Sequence, residues 1–359
     1  MTETRRLRVG LIGAGTIAFS AHLPAMRTLN HLIELVAVAD IREENAQRAA
    51  REFGAQAYYS DYHDLLNRGD LDFVDICTPE FLHAEQTEAA AAAGVHVLCE
   101  KPMSSSVDEA DRMISACERA NVKLMIAHSR RFTGRYRRIR EAIELGSIGE
   151  VRYVRENERR PRSMYDSLNL GTGYWTPEGE LPWIANAKYT QGAALTNAVH
   201  ETDLARWFIG RNPVSVYAEA RIVTEGAEVP DMISYTVELD NGAIGAAEIV
   251  NQLPRGYPYF HMMEVIGREG RIQATDPPMS PLTVADMTGI TQTMNFPTLL
   301  HVDRAYVDEI EAFAHAVMND TEPPLSTRDA RGAVELSVAA VQSSKRHQPV
   351  RLPLVNGGE

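Results

Sequence analysis

The sequence has little that would staple it, anchor it or draw it to nucleic acid. Cysteine is scarce: Cys77, Cys99 and Cys117 stand alone among 359 residues. An odd, low count argues against a disulfide framework and fits a reducing compartment. No CxxC pair and no HExxH segment occurs, so no metal site is expected. No run of about 18 uncharged apolar residues is present, which argues against a membrane-spanning helix. Met1-Thr2-Glu3-Thr4-Arg5-Arg6 leads straight into a strand-like run, without the apolar stretch of a secretory signal. These features predict a soluble, cytoplasmic chain. Positive charge is also short, with 36 Lys and Arg against 49 Asp and Glu, a net charge of −13. A phosphate-backbone binder carries a basic surface, so neither nucleic acid nor a membrane is an expected partner. One basic cluster stands out: Arg130, Arg131, Arg135, Arg137, Arg138 and Arg140. It reads as a solvated helix face, with Arg137–Glu141 and Arg140–Glu144 at i,i+4. No internal repeat or low-complexity tract is found.

What is present is an ordinary globular composition, 44% hydrophobic and 24% charged. At roughly 150 residues per domain the length suggests about two domains. Through residue 127 short apolar runs alternate with helical patterns. Strands are expected at 7–12, 34–39, 73–77, 95–99 and 122–127, with helices at 16–28, 43–53, 81–93 and 107–120. Continuous apolar strands between helices imply a parallel sheet covered on both faces. Gly94 closes an Ala-rich helix, and Ser106 with Glu109 makes a capping-box pattern. Cys117 falls in the apolar stripe of that helix and reads as core.

From residue 128 to 359 the pattern changes to a second, α+β domain. Runs at 150–159, 214–224, 232–239, 243–250, 261–267 and 270–275 predict a large, mostly antiparallel open sheet. Asp240-Asn241-Gly242 is a hairpin signal. Two late helices are expected near 303–318 and 328–345. The segment 161–190 holds Pro, Gly, Tyr and Trp without periodicity, the mark of a functional loop.

The strand Arg8–Ile12 runs into Gly13-Ala14-Gly15-Thr16-Ile17-Ala18, a G-x-G-x-x-A turn that opens a helix. The first glycine permits the turn, the second lets backbone approach a pyrophosphate, and the small third residue lets helix and strand pack. The helix N-terminus offers N–H groups and a positive dipole end to phosphates. Asp40 ends the second strand, where an acid would bind the adenosine ribose hydroxyls. Its charge predicts NAD over NADP, although Arg42 nearby is the kind of residue that accommodates a 2′-phosphate.

The chain resembles the Gfo/Idh/MocA oxidoreductases over nearly its whole length. The resemblance rests on the Gly13–Ala18 turn, Cys77-Thr78-Pro79 with His83, and Cys99-Glu100-Lys101-Pro102. It continues through His128-Ser129-Arg130-Arg131-Phe132 and His200-Glu201-Thr202-Asp203. It implies an N-terminal Rossmann domain, doubly wound, and a C-terminal domain used for substrate and for assembly as a homodimer or homotetramer. It implies that Lys101 reaches the substrate hydroxyl and the nicotinamide region, and that His200 is the base. Thr16, Ile17, Thr78, Pro79, His83, Glu100 and Trp183 are then expected along the cofactor, with Gly13, Gly15, Asp40 and Arg42. His128, Arg159, Tyr174, Trp175, Thr196 and Asn197 are expected near the substrate with His200. Two departures from the family pattern touch the substrate side. Thr196 stands where many members carry Asp, and Trp183 is followed by Ile184 rather than Arg, with Lys188 a replacement. The expected reaction is hydride transfer between nicotinamide and a secondary hydroxyl or ketone of a sugar, glycoside or cyclitol. The same residues could serve a glycosidase that retains NAD and oxidises the sugar transiently, or a regulator that senses NAD and sugar without turnover.

Overall fold

The computed structural model describes residues 5–161, 181–253, 259–276, 282–286, 289–294 and 304–354. It divides into two compact units. One contains the chain through Phe132 and Arg304–Arg331; the other contains most of the rest.

The first unit is built on strands β1 (Leu7–Ile12), β2 (Ile33–Ala39), β3 (Ala57–Tyr59), β4 (Phe73–Ile76), β5 (His96–Glu100) and β6 (Leu124–Ala127). All are parallel, in the order β3-β2-β1-β4-β5-β6. The order reverses between β1 and β4, the point at which open α/β sheets bind ligands. Helices α1 (Leu23–Thr28), α2 (Glu43–Phe53), α3 (Tyr62–Leu66), α4 (His83–Ala92) and α5 (Val107–Ala120) connect the strands. Val9, Leu11, Val36, Val38, Phe73, Ile76, Val97 and Leu98 are buried, as strands covered on both faces require.

Local signals hold with changes of detail. Gly94 follows α4 with φ +72°. Ser106 caps α5 by accepting from the Glu109 N–H, while the Glu109 carboxylate takes the Ser105 N–H rather than that of Ser106. The helix expected over 16–28 is interrupted by a π-helical turn, Ala18–His22, before α1. Pro24 lies in the first turn of α1 and cannot donate a backbone bond, so the wider turn falls where the regular ladder is already broken. That turn delivers His22, fully buried, into the core. Periodicity over 303–318 announces a helix but not its neighbours. As α9 (Ala305–Met318) it joins the first unit, where Phe313 meets Phe73 edge to face at 5.3 Å.

The second unit carries a nine-stranded sheet, β14-β13-β12-β11-β7-β10-β9-β8-β15. Its strands are β7 (Val151–Pro161), β8 (Pro213–Arg221), β9 (Met232–Leu239), β10 (Ile244–Leu253), β11 (Phe260–Gly267), β12 (Gly270–Asp276), β13 (Leu282–Asp286), β14 (Gly289–Met294) and β15 (Val350–Arg351). Every pairing is antiparallel except β7 with β10. Strand β9 alternates buried and open residues along its length, so one face packs and the other stays open. The packed face holds Val154, Val216, Val237 and Met263 against Leu204 and Phe208 of α8 (Val199–Ile209) and Leu336 and Ala340 of α10 (Thr327–Arg346). The hairpin at 240–242 uses φ > 0 only at Gly242, and the Leu239 amide pairs with the Ala243 carbonyl. The hairpin signal therefore takes the form of a three-residue turn with its glycine last.

The basic cluster forms short Ser129–Phe132 and helix α6 (Gly134–Glu144). Arg140 pairs with Glu144 as expected, whereas Glu141 is taken by Arg138 at i,i+3. Arg131 is buried on Asp329.

Candidate active site

The phosphate turn sits at the end of β1. Gly13 has φ +92°, and a Cβ there would come within 2.7 Å of Thr78 Cγ2 and 2.9 Å of the Cys77 carbonyl carbon. Both the conformation and the closeness of the β4 loop demand glycine. Gly15 differs: a Cβ there would meet nothing within 4 Å. Its open side faces away from protein, which leaves backbone accessible where a pyrophosphate would lie. Thr16 is exposed and Ile17 half-buried at the start of the helix, so its first amides are available.

Asp40 closes this corner. Its Oδ2 accepts the Ala14 N–H at 2.8 Å and its Oδ1 accepts the Arg42 N–H at 2.8 Å. One bond to each oxygen leaves acceptor capacity for ribose hydroxyls. The Arg42 guanidinium lies 4.0 Å away, 39% exposed, at the edge of the same corner. A dinucleotide therefore fits the turn, the helix start and the acid. Asp40 has a second duty, since it ties the phosphate turn to the next loop.

Beyond β4, Thr78 and Pro79 are half-buried, and the Thr78 hydroxyl donates to Gln86 at 2.6 Å. His83 is buried, with Nε2 2.9 Å from the Thr78 carbonyl and Nδ1 2.9 Å from the Pro102 carbonyl. Burial lowers its pKa, against the pull of the two carbonyls, which favour protons on the ring. The structure makes His83 a strut between the β4 and β5 loops rather than a group facing outward.

Beyond β5 comes Glu100-Lys101-Pro102, with a cis peptide bond between Lys101 and Pro102. Lys101 is half-buried at the strand's C-terminal end, in the same row as the Gly13 and Thr78 loops. Glu100 does not face outward. Its Oε2 accepts the Lys101 N–H at 2.9 Å, and its Oε1 is 2.9 Å from His22 Nε2. His22 Nδ1 lies 2.7 Å from Asp75. Burial would raise the Glu100 pKa, but the bond and charge of His22 outweigh it and hold the carboxyl below its ordinary range. His128 follows β6 in the same row of strand ends, buried.

In the second unit, Thr196 ends the short helix α7 (Ala193–Thr196), and His200 lies in the first turn of α8. Thr196 Oγ1 is 3.2 Å from the Gly192 carbonyl and 3.1 Å from Asn197 Oδ1. Thr196 and Asn197 line a cleft with Ile184, Ala193, Val229 and Asp231. His200, on the first turn of this helix, is buried at 9% exposure. Trp183 opens the 3₁₀ turn Trp183–Ala185. Arg159 does not join this group. It pairs with Glu248 and lies on the face of β7 opposite Val154, Glu156 and Glu158, which are buried. Tyr174 and Trp175 lie outside the described residues.

The second unit also holds a buried polar cluster that the sequence reading missed. Carboxylate oxygens of Glu156 and Glu201 and a ring nitrogen of His261 lie within 4.8 Å of one another, with His261 Nε2 3.2 Å from Glu156 and Nδ1 3.3 Å from the Tyr136 hydroxyl. Glu158 beside it accepts from Tyr259 at 2.7 Å and from Arg160 at 3.0 Å. The available signal was the spacing of Glu156 and Glu158: on a strand, residues two apart share a face.

Residues 7–128 match the model of the GFO/IDH/MocA oxidoreductase family, with its NAD-binding Rossmann fold. Residues 136–273 match the model of the GFO/IDH/MocA C-terminal domain. Among curated relatives, the inositol 2-dehydrogenase of Rhizobium meliloti is 30% identical over 340 residues, covering 94% of this chain and 96% of that protein. The myo-inositol 2-dehydrogenase of Thermotoga maritima is 27% identical, covering 98% of this chain and 100% of that one. Among solved structures, a levoglucosan dehydrogenase in complex with NADH superposes with a TM-score of 0.85 at 26% identity, over 98% of this chain and 100% of the other.

Proposed function

This chain belongs to the Gfo/Idh/MocA oxidoreductase family, and from that premise we propose that it is a nicotinamide-dependent dehydrogenase of sugar or cyclitol hydroxyls. The observation that carries the reading is the row of strand ends in the first unit. It sets Gly13, Gly15, Asp40, Thr78 and Lys101 along one edge of a parallel sheet, at the point where its order reverses. The relatives supply the substrate class, since two act on inositols and one on levoglucosan by name.

Gly13 to Ile17 and Asp40 hold the dinucleotide. The nicotinamide, when bound, supplies the hydride acceptor or donor. Lys101 places an ammonium against the reacting hydroxyl and stabilises negative charge on its oxygen. His200 takes the hydroxyl proton, a task suited to a group whose ordinary pKa is near neutrality. Thr196 and Asn197 orient the polyol in the cleft they line. NAD is preferred, because the Asp40 carboxylate repels a 2′-phosphate. Three buried free cysteines accord with a reducing cytoplasm. The open face of the nine-stranded sheet, where Tyr217, Ile244 and Phe260 are exposed, is the surface for self-association.

The test is nicotinamide reduction followed by absorbance, with NAD and then NADP, against inositols, aldoses and anhydrosugars. Turnover of one class with NAD is expected. Bound cofactor without turnover of any alcohol would refute the reading.

A further inference from the structure

Buried beneath Lys101 is a chain of polar groups that the proposed chemistry does not use. Asp75 comes from the middle of β4, His22 from the π-helical turn and Glu100 from the end of β5. Asp75 and His22 are fully buried, and Glu100 nearly so. The chain runs from Asp75 to His22 Nδ1 at 2.7 Å, from His22 Nε2 to Glu100 at 2.9 Å, and from Glu100 Oε2 to the Lys101 N–H at 2.9 Å. The other groups facing this ring are Cys77, whose thiol donates to Asp75, and Tyr306 and Glu309 of α9. Tyr306 packs edge-on against the imidazole at 5.2 Å. Burial pushes the Glu309 and Cys77 protons on more tightly, which keeps those two groups neutral beside the chain.

An imidazole between two carboxylates must donate from both nitrogens, so it carries two protons and a positive charge. Burial opposes that charge, while the Asp75 carboxylate and its bond, together with Cys77, raise the His22 pKa well above its ordinary value. Ionic groups so deep in a core are seldom the most stable filling, because apolar side chains of equal volume do as well. The arrangement makes sense by where it ends, at the backbone of Lys101.

We propose that His22 is a positioning residue: braced on Asp75, it keeps the Glu100 carboxylate ionised and bound to the Lys101 amide, which fixes the base of the Lys101 side chain. The inference rests on the role given above to Lys101. Without His22, two carboxylates would face each other in a dry core, and one of them would have to bind a proton. Glu100 would then share its charge with Asp75, and its hold on the Lys101 amide would depend on pH.

The experiment labels lysine with ¹⁵N in the full chain and follows the Lys101 amide, assigned with Lys101→Arg, from mildly acid to mildly alkaline pH. In wild type the signal is expected to hold its place. In His22→Gln it is expected to titrate, and kcat to fall about 10- to 100-fold while NAD affinity stays unchanged. His22→Gln with Asp75→Asn removes one carboxylate, so the amide should again ignore pH and part of kcat should return. A His22→Gln enzyme with the wild-type amide behaviour and pH profile, even at a lower Tm, would overturn the proposal and leave His22 a packing residue. Should His22→Gln not fold, ¹⁵N-histidine spectra of the wild type decide: two ring N–H protons at neutral pH support the proposal and a neutral ring refutes it. If the wild type turns over no alcohol, the dehydrogenase reading fails, while the amide and ring signals still judge this one.

Discussion

The two units hold the residues proposed for binding and catalysis by different means. In the first, Gly13, Thr78, Lys101 and His128 sit just past the C-terminal ends of parallel strands, and backbone geometry places them. In the second, His200, Thr196 and Asn197 rise from helix ends over a sheet face that mixes apolar residues with buried Glu156, Glu158 and His261. A loop past a strand end can be replaced with little harm to the core. A helix turn over a polar cluster cannot. Lys101, half-buried, should therefore separate activity from stability under mutation, and His200, buried, should couple them.

The largest effects sharpen this contrast. Lys101→Ala is expected to cost about 10²- to 10³-fold in kcat with Tm nearly unchanged, measured by steady-state kinetics and calorimetry. His200→Asn should cost about 10²-fold or more in kcat, and should shift Tm as well because the ring is nearly buried. Equal Tm for both variants would break the comparison.

Next come the two glycines of one turn. Gly13→Ala forces a side chain into φ +92° and against Thr78, so it should lower stability by more than about 1–2 kcal/mol and abolish NAD binding. Gly15→Ala meets open space, so Tm should hold while NAD affinity, read by fluorescence titration, falls. Loss of stability in both would mean that the turn is structural only. Smaller again is Asp40→Asn, expected to lose about 1.5–3 kcal/mol of NAD affinity and to narrow the preference over NADP.

The smallest effect is a pH dependence of stability from the buried chain. Glu100 has a lowered pKa, so its contribution is complete above its ordinary 4.5 and is lost as pH falls below that. His22 has a raised pKa, so its contribution is complete below 6.5 and is lost as pH rises through its folded value. Both act fully between 4.5 and 6.5, where the Tm gap between wild type and His22→Gln should be widest.

The first unit was legible because its signals are local. Apolar runs, a glycine turn and an acid at a strand end each fix their own geometry, and β1, α2 and α5 match the expected spans residue for residue. The three-residue β3 was missed because it is too short to show a period, and the π-helical turn because nothing marks it but Pro24. The direction of Glu100 and His83 was not legible in the sequence, since both turn inward to support loops. In the second unit the difficulty is the strand period. Arg159 and Glu158 are neighbours on opposite faces, so a shift of one residue in the period changes which side chain a face presents. Acidic residues at alternate positions look like a solvent face until the helix that covers them is placed.

The central claim is hydride transfer between nicotinamide and a secondary carbon. The direct measurement uses the polyol found by the absorbance panel, deuterated at the reacting carbon, with NAD and the wild-type enzyme. Mass spectrometry should find one deuterium in the reduced nicotinamide for each ketone formed. Ketone or free sugar released with no deuterium in the nicotinamide would contradict the account.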